Sequence, residues 1–220
     1  MKKKVIIVAG GQGKRMNTEI PKQFLNVARK PILMHTIEKF YSYADKIKII
    51  LVIPEPYFKF WRSLCNKFDF KIEHKLVAGG ETRFNSVKNG LQEIYEPCVV
   101  AIHDGVRPLV SHETLSRVFS LAEENGNAIP VGKIYESMRQ LETDNSFPVN
   151  REQFRMIQTP QCFHSDLIKK AYKQKYRKVF TDDATVVEAM GVKINLVEGN
   201  IENIKITRPV DLKFAEALLK

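Results

Sequence analysis

The chain has 220 residues, a formal net charge of +10, and hydrophobic and charged fractions of 44% and 27%. At roughly 150 residues per domain this length predicts a single domain, and the composition is that of a soluble globular protein rather than a disordered or fibrous one. The three cysteines lack metal-ligand spacing, and the apolar run after the first basic residues is too short for a signal peptide or a membrane span. We therefore expect a cytoplasmic protein without a disulfide scaffold or a zinc site.

The positive charge is concentrated near the start of the sequence. Residues 1–30 contain eight Lys or Arg and one acid, which gives +7 of the total +10. A surface that binds a nucleic-acid backbone needs basic residues spread over one long face. This distribution favours a small anion bound beside one loop over a nucleic-acid partner.

Strands and helices alternate through the first half of the sequence. Apolar, β-branched runs predict strands at 4–9, 48–54 and 99–103, and a further strand is predicted at about 72–77. Apolar spacing and helix-start residues, including Ser111 as an N-cap, predict helices at about 31–43, 56–68, 82–95 and 111–125. This alternation is typical of a doubly wound α/β sheet.

The second half of the sequence begins with a weakly patterned stretch. Residues 129–159 are mostly extended in character, which predicts an arm projecting from the sheet. The elements predicted after it are helices near 165 and 182, strands at 192–197 and 204–206, and a last helix from 210.

A glycine-rich loop follows the first predicted strand. Gly10, Gly11 and Gly13 allow backbone N–H groups to approach a phosphate closely. Two familiar phosphate loops are excluded. A Walker A loop needs Ser or Thr where Arg15 stands, and a dinucleotide fingerprint needs a third glycine where Met16 stands.

Two cations accompany this loop. Arg15 offers a planar fork and Lys22 a mobile point charge, and both suit a triphosphate. The alternative is a tight turn with a solvated basic rim. The combination of glycines with Arg15 and the segment PKQ at 21–23 favours phosphate binding.

A second polar loop, GGETRFNSV at 79–87, precedes a predicted helix that carries Arg83 and Ser86 in its first turns. The backbone groups of such a loop can form hydrogen bonds with the edge of a nucleobase, and the Ser86 hydroxyl can add another. The alternative is an ordinary helix start, in which Glu81 favours the positive end of the helix dipole. The loop alone does not decide between the two.

The motif HDGVRP begins at the C-terminal end of a buried strand, where ligands of open α/β sheets collect. Asp104 can hold Mg²⁺ on phosphate oxygens, and Arg107 can bind a second anionic substrate. The alternative is an Asp–Arg pair that closes a turn. We expect His103 to be a packed or hydrogen-bonding residue rather than a base.

Two further segments carry candidate polar residues. Thr181 stands before a predicted helix, where the alternative role is a simple N-cap. In an extended segment, Ile204 and Ile206 would face the core while Asn203 and Lys205 would share the other face. The alternative for Lys205 is an ordinary surface lysine on an edge strand.

In their order along the chain, the motifs AGGQGKRM, PKQF, GGETRFNSV, HDGVRP, QTPQ, TDDA and EGNxxNIKxTxPxDL resemble those of the cytidylyltransferases of isoprenoid synthesis. The resemblance spans nearly the whole chain. It implies a Rossmann-like nucleotidyltransferase fold with a mostly parallel central sheet, and a homodimer formed through an extended β-arm at about 132–159. It also implies transfer of CMP from CTP to 2-C-methyl-D-erythritol 4-phosphate, with Mg²⁺ or another divalent metal and without a nucleic-acid or membrane partner.

The resemblance also implies roles for individual residues. Those expected to bind CTP are Gly10, Gly11, Gly13, Arg15, Lys22, Gly80, Glu81, Arg83, Ser86 and Asp104, with Arg83 supporting its loop. Those expected to bind the second substrate are Asp104, Arg107, Arg151, Thr159, Thr181 and Lys205, with Arg151 supplied by the arm of either subunit. Charge at the reacting phosphorus would be stabilised by Arg15, Lys22 and Lys205, and any metal would lie near Asp104, bound mainly by CTP phosphates.

Several positions depart from the family pattern. Asn85 stands where an acid is common, Glu136 and Ser137 match the arm only loosely, and Val106 is larger than the usual alanine. Ribitol-phosphate cytidylyltransferases also resemble the loop around Val106, so transfer to ribitol 5-phosphate is an alternative, although TDDA favours the methylerythritol branch. A non-catalytic nucleotide-binding or RNA-binding module is a further alternative.

Overall fold

A mixed eight-stranded sheet forms the centre of the structure, a computed structural model that describes residues 1–11, 20–44 and 47–219. The strands are β1 (Lys3–Val8), β2 (Asn26–Val27), β3 (Lys30–Pro31), β4 (Lys48–Ile53), β5 (Lys75–Ala78), β6 (Val99–Asp104), β7 (Asn127–Gly132), β8 (Met138–Leu141), β9 (Ser146–Val149), β10 (Met156–Ile157), β11 (Gln161–His164) and β12 (Leu196–Glu198). The central sheet has the order β5-β4-β1-β6-β11-β7, and β10 and β12 also pair with β7. Strands β1, β4, β5 and β6 are parallel, and β11 is antiparallel to β6.

Helices cover both faces of this sheet. They are α1 (Ile32–Tyr43), α2 (Phe58–Lys67), α3 (Arg83–Leu91), α4 (His112–Asn125), α5 (Ser165–Ala171), α6 (Asp183–Glu188) and α7 (Pro209–Leu218). No helix in the described ranges has the length and apolar character needed to cross a bilayer.

The side chains of β1 explain why both faces are covered. Successive residues of a strand point to opposite faces. Val5 and Ile7 pack in one buried cluster with α1, α2 and α4, whereas Ile6 and Val8 pack in a second cluster with α3, α5 and α6. The predicted α/β fold with a mostly parallel central sheet is confirmed.

The parallel strands bring the predicted motifs to one edge of the sheet. Val8 at the end of β1 is in register with Asp104 at the end of β6, and Ile53 of β4 is in register with Ala78 of β5. The glycine loops after β1 and β5 therefore lie at the same edge as Asp104.

Some element boundaries differ from the prediction. The helix predicted at 82–95 ends at Leu91, the strand predicted at 72–77 is the shorter β5, and the predicted strand at 192–197 is reduced to β12. The strand predicted at 204–206 is wrong. This segment crosses the loop after β6, and Ile206 donates a backbone hydrogen bond to the Val106 carbonyl (3.0 Å) without forming a ladder.

The weakly patterned stretch contains an extended hairpin outside the central sheet. Strands β8 and β9 pair with each other, with Met138 opposite Val149 and Leu141 opposite Ser146. Large apolar side chains on and next to the hairpin are exposed, including those of Tyr135, Leu141 and Phe147.

Candidate active site

A cavity of about 280 Å³ lies at the edge of the sheet where β6 ends. Residues from five separate segments line it: Arg83, Asp104, Arg107, Ile157, Gln158, Thr159, Gln161, Thr181, Asp182 and Lys205. The structure therefore brings together most of the residues predicted to bind the second substrate, together with Arg83 from the predicted CTP-binding set.

Asp104 is the centre of charge in this cavity. Its Oδ2 lies 3.1 Å from both Arg107 Nε and Lys205 Nζ, and its Oδ1 lies 3.6 Å from Arg83 Nε. Burial alone would raise the pKa of Asp104, but the attraction of Arg83, Lys205 and Arg107 outweighs it and holds the pKa well below its usual range. The Asp104 carboxylate therefore stays ionised and holds the side chains of Arg107 and Lys205 in place in the cavity.

The same contacts bear on metal binding. Within residues 1–11, 20–44 and 47–219, no group of three or more His, Cys, Asp or Glu side chains could hold a metal ion. Both Asp104 oxygens face cations. A metal beside Asp104 would therefore need most of its ligands from a bound substrate, such as phosphate oxygens.

Arg107 is held in one orientation by two acceptors. Its Nε donates to Asp104 Oδ2 (3.1 Å), and its Nη1 donates to the Asn203 carbonyl (2.8 Å). A guanidinium fixed on one side presents its remaining N–H groups in a defined direction, which suits a phosphate. The predicted sharing of one face by Asn203 and Lys205 is wrong, since Lys205 is exposed whereas Asn203 is buried and its side-chain amide donates to Gln158 and to the Thr159 carbonyl.

His103 lies fully buried behind the cavity. Its Nε2 lies 3.0 Å from the Arg107 carbonyl, which only accepts, so Nε2 carries the proton. Its Nδ1 then accepts from the Thr159 hydroxyl (3.1 Å), which itself accepts from the Asp104 backbone N–H. Burial lowers the pKa of His103 to about 4, so the ring is neutral near pH 7 and acts as the predicted hydrogen-bonding residue.

This lowered pKa predicts a pH dependence of stability. Between pH 4 and about 6.5, the unfolded histidine binds a proton that the folded one does not, so His103 makes the free energy of unfolding rise with pH. One such group contributes at most about 1.4 kcal/mol per pH unit. Urea unfolding between pH 4.5 and 7 should show a flatter dependence for His103→Gln than for the exposed control His112→Gln. Equal slopes in both variants would contradict the assignment.

The loop before α3 and the loop after β1 meet at Ser86. The Ser86 hydroxyl accepts from the Gly80 backbone N–H (3.1 Å) and donates to the Thr82 carbonyl (3.0 Å). A Cβ placed on Gly10 would lie 3.7 Å from the same Ser86 Oγ. The two glycine loops predicted to bind CTP are therefore neighbours. Glu81, the other predicted residue of this loop, is exposed beside them, and Thr82 caps the helix by accepting from the Asn85 backbone N–H.

Gly80 leaves no room for a side chain. A Cβ there would lie 2.5 Å from Asn85 Cβ, so an alanine must displace the loop. We expect Gly80→Ala to raise KM for CTP about tenfold or more, because overpacking of this kind typically costs about 1–3 kcal/mol. Steady-state kinetics should show no such change for Gly132→Ala, where the nearest atom is 3.5 Å from the new Cβ. An unchanged KM in Gly80→Ala would exclude this loop from the CTP site.

Lys22 is buried beside the end of β1. Its Nζ donates to the Ile206 carbonyl (2.8 Å), next to Lys205 in the chain. Gln23, which sequence reasoning missed, donates its side-chain amide to the Ala9 carbonyl (2.6 Å) and so ties this turn to the glycine loop. The predicted residues Gly13 and Arg15 lie outside the described residues, whereas Gly10 and Gly11 directly follow β1 and Ala9.

Asp182, rather than Thr181, caps helix α6. The Asp182 carboxylate accepts from the Thr185 backbone N–H (2.9 Å), and the Thr185 hydroxyl accepts from the Asp182 backbone N–H. The alternative reading of Thr181 as the N-cap is therefore wrong. Thr181 is exposed and lines the cavity instead.

Arg83 does more than support its loop. Its Nη1 and Nη2 donate to the two carboxylate oxygens of Asp183, at 3.0 and 2.7 Å. Asp183 is fully buried and also accepts from the Tyr172 hydroxyl (2.5 Å). Sequence reasoning missed Asp183 and Tyr172, because an acid at the start of a helix is also common without any specific partner.

Comparison with known proteins identifies the family. A family model described as 2-C-methyl-D-erythritol 4-phosphate cytidylyltransferase (IspD) matches residues 4–220. The chain belongs to this family. A relative of that name from Bacteroides thetaiotaomicron is 52% identical over 219 residues, which cover 100% of both chains. One from Bacillus velezensis is 39% identical over 98% of this chain and 95% of its own.

Solved structures of the IspD family share the fold. The Francisella tularensis 2-C-methyl-D-erythritol 4-phosphate cytidylyltransferase has a TM-score of 0.80 at 30% identity and covers 99% of each chain. The Anaerococcus prevotii 4-diphosphocytidyl-2C-methyl-D-erythritol synthase has a TM-score of 0.83 at 28% identity, over 99% of this chain and 96% of its own. The resemblance drawn from the ordered motifs is confirmed.

In this IspD family member, Arg151, Glu136 and Ser137 of the arm do not line the cavity. Arg151 lies on a short 3₁₀ turn, where its side chain donates to the Tyr135 carbonyl, and it is not one of the lining residues. Glu136 and Ser137 are exposed. A contribution of Arg151 to a substrate site therefore requires a second copy of the chain or a movement of the arm.

Proposed function

We propose that this chain transfers the cytidylyl group of CTP to 2-C-methyl-D-erythritol 4-phosphate and releases pyrophosphate, in the non-mevalonate isoprenoid pathway. One observation carries the proposal: Asp104 holds Arg107 and Lys205 at the edge of the sheet, next to a glycine loop. This arrangement provides fixed cations for one anionic substrate beside a loop suited to a triphosphate. The family membership supplies the identity of the two substrates.

In this proposal the two substrates occupy neighbouring halves of the site. The residues proposed for CTP are Gly10, Gly11, Gly13, Arg15, Lys22, Gly80, Glu81, Arg83, Ser86 and Asp104. The residues proposed for the sugar phosphate are Asp104, Arg107, Thr159, Thr181 and Lys205, together with Arg151 from an arm. Lys22 connects the two halves, because its Nζ donates to the carbonyl of Ile206, the residue that follows Lys205.

The reaction needs alignment and charge neutralisation more than proton transfer. A phosphate oxygen of the sugar phosphate attacks the α-phosphorus of CTP, the new P–O bond forms, and the bond from the α-phosphorus to the bridging oxygen breaks with its electron pair on pyrophosphate. The attacking monoester is already largely ionised at pH 7, since its second pKa is about 6. Fixed cations in a preformed site stabilise the charge that accumulates on the phosphoryl oxygens.

We also propose that Mg²⁺, or another divalent metal, binds mainly to the phosphates of CTP, with Asp104 as the nearest carboxylate. Such a metal neutralises phosphate charge when it is bound. Phosphate oxygens would supply most of the ligands, because the two oxygens of Asp104 already face three cationic side chains.

We further propose that two copies form a homodimer through the arm and that the protein works in the cytoplasm without a nucleic-acid partner. The exposed apolar side chains of Tyr135, Leu141, Phe147 and Phe154 support an interface there. The exposed Arg151 on the same arm would then reach the cavity of the neighbouring subunit.

The residue behind the alternative of transfer to ribitol 5-phosphate lies outside the cavity. Val106, which departs from the usual alanine, packs in a buried cluster with Ile206 and Val27 and does not line the cavity. Val106 therefore makes no contact in the cavity that would favour ribitol 5-phosphate.

The function is tested by pyrophosphate release from the purified protein with CTP, Mg²⁺ and each candidate acceptor. We expect release with 2-C-methyl-D-erythritol 4-phosphate and little with ribitol 5-phosphate. Release with ribitol 5-phosphate alone would overturn the proposed substrate. No turnover with either, together with salt-sensitive RNA binding, would favour a binding module.

A further inference from the structure

Three cationic side chains of the cavity approach Asp104, which is more than one carboxylate can pair with in good geometry. Arg107 and Lys205 both lie 3.1 Å from Asp104 Oδ2, and Arg83 lies 3.6 Å from Oδ1. A carboxylate offers two oxygens, and an arginine fork that faces it squarely uses both. Another contact must therefore keep the Arg83 guanidinium from pairing with both oxygens of Asp104.

Asp183 provides the second carboxylate. It binds Arg83 through both oxygens, at 3.0 and 2.7 Å, and is fully buried. The Tyr172 hydroxyl donates a hydrogen bond to the same carboxylate. The guanidinium of Arg83 thus has its terminal nitrogens on Asp183, and only its Nε approaches Asp104.

We infer that Asp183 is a positioning residue for the transfer reaction: it holds Arg83 away from Asp104, which leaves Asp104 to orient Arg107 and Lys205. The inference rests on the proposed function in one respect, because Arg107 and Lys205 are substrate-binding groups only in that proposal. Asp183 itself lies behind Arg83 and does not line the cavity.

Arg83 cannot relieve the loss of Asp183 by losing its proton. An arginine guanidinium does not lose its proton in proteins, and the charge of Asp104 still attracts Arg83 when the charge of Asp183 is gone. Without the charge of Asp183, the nearest carboxylate to this fixed cation is Asp104. We expect the Arg83 fork to turn onto Asp104 and to displace Lys205 first, since the Lys205 side chain is the more exposed partner.

The test uses Asp183→Asn, which keeps the size and the acceptor for Tyr172 but removes the charge. We expect KM for the sugar phosphate to rise about tenfold or more, as is usual when a buried charge loses its partner, with a smaller change in KM for CTP. The double variant Arg83→Gln, Asp183→Asn removes the competing cation as well. It should recover most of the lost sugar-phosphate affinity, measured beside Arg83→Gln alone.

Tyr172→Phe is the matched structural control. It deletes a hydrogen bond to Asp183 and leaves the Arg83–Asp183 pair intact, so it should lower Tm without raising KM for the sugar phosphate. Similar KM values for Tyr172→Phe and Asp183→Asn would overturn the inference. The inference would also be overturned if the double variant had the same KM for the sugar phosphate as Asp183→Asn. If Asp183→Asn does not fold, the KM of the double variant is compared with that of Arg107→Ala instead, and an equal value would overturn the inference.

A crystal structure of Asp183→Asn separates this inference from the identity of the substrate. Arg83 turned onto Asp104, with Lys205 Nζ moved away from its present 3.1 Å, would support the positioning role whatever the enzyme turns over. An unmoved Arg83 and an unmoved Lys205 would overturn it. Wild-type turnover in the same preparation tests the proposed function independently.

Discussion

Lys22→Ala is expected to lower kcat by about 10²- to 10³-fold, the usual effect of removing one preorganised group that stabilises transition-state charge. Lys22 is buried beside the glycine loop, and its Nζ donates to the Ile206 carbonyl at 2.8 Å. Ile206 directly follows Lys205 in the chain. The position of the Lys22 Nζ is therefore set before substrates bind. Pyrophosphate release under saturating CTP and sugar phosphate measures kcat directly.

Two controls accompany this variant. Lys88→Ala removes an exposed lysine of α3 and should leave kcat unchanged. Because Lys22 is buried, the melting temperature of Lys22→Ala must also be measured, so that the folded fraction is known at the assay temperature. A folded Lys22→Ala enzyme with kcat close to that of the wild type would refute the role proposed for this lysine.

Arg107→Ala is expected to raise KM for the sugar phosphate by about 10²-fold, since truncating one partner of a buried charged contact typically costs 2–5 kcal/mol. Asp104 and the Asn203 carbonyl fix the guanidinium, so little of the binding free energy is spent on ordering it. KM for CTP should remain largely unchanged, because the glycine loops do not depend on these contacts. Steady-state titration of each substrate distinguishes the two effects.

Arg117→Ala is the matched control for Arg107→Ala. Arg117 lies exposed on α4, donates to the Glu198 carbonyl and does not line the cavity. It should change neither KM. An equal loss of affinity for both substrates in Arg107→Ala would mean that Arg107 supports the loop after β6 instead of binding the sugar phosphate.

Local sequence signals predicted the centre of the fold well. The apolar runs of β1 and β6 could only be buried strands, and the predicted cap of α4 is present, since Ser111 accepts from the Thr114 backbone N–H. These features depend on residues close together in the sequence. The position of Asp104 at the ligand edge followed directly from the strand that precedes it.

Features that depend on contacts between distant segments could not be predicted. The segment around Lys205 has the alternation of a strand but lies across the loop after β6, where it supplies the Asn203 carbonyl to Arg107. The partner of Arg83 is 100 residues away at Asp183. Neither periodicity nor composition indicates which distant acid an arginine will bind.

The hydrogen bonds of Thr159 limit what it can offer a substrate. Its hydroxyl proton is directed to the unprotonated Nδ1 of His103, and one of its lone pairs is occupied by the Asp104 backbone N–H. Only the remaining lone pair is available, so Thr159 can accept a hydrogen bond from a ligand but cannot donate one. Arg107 and Lys205 only donate. The cavity thus presents an acceptor beside its donors, and a polyol phosphate, which carries O–H groups as well as phosphate oxygens, matches both.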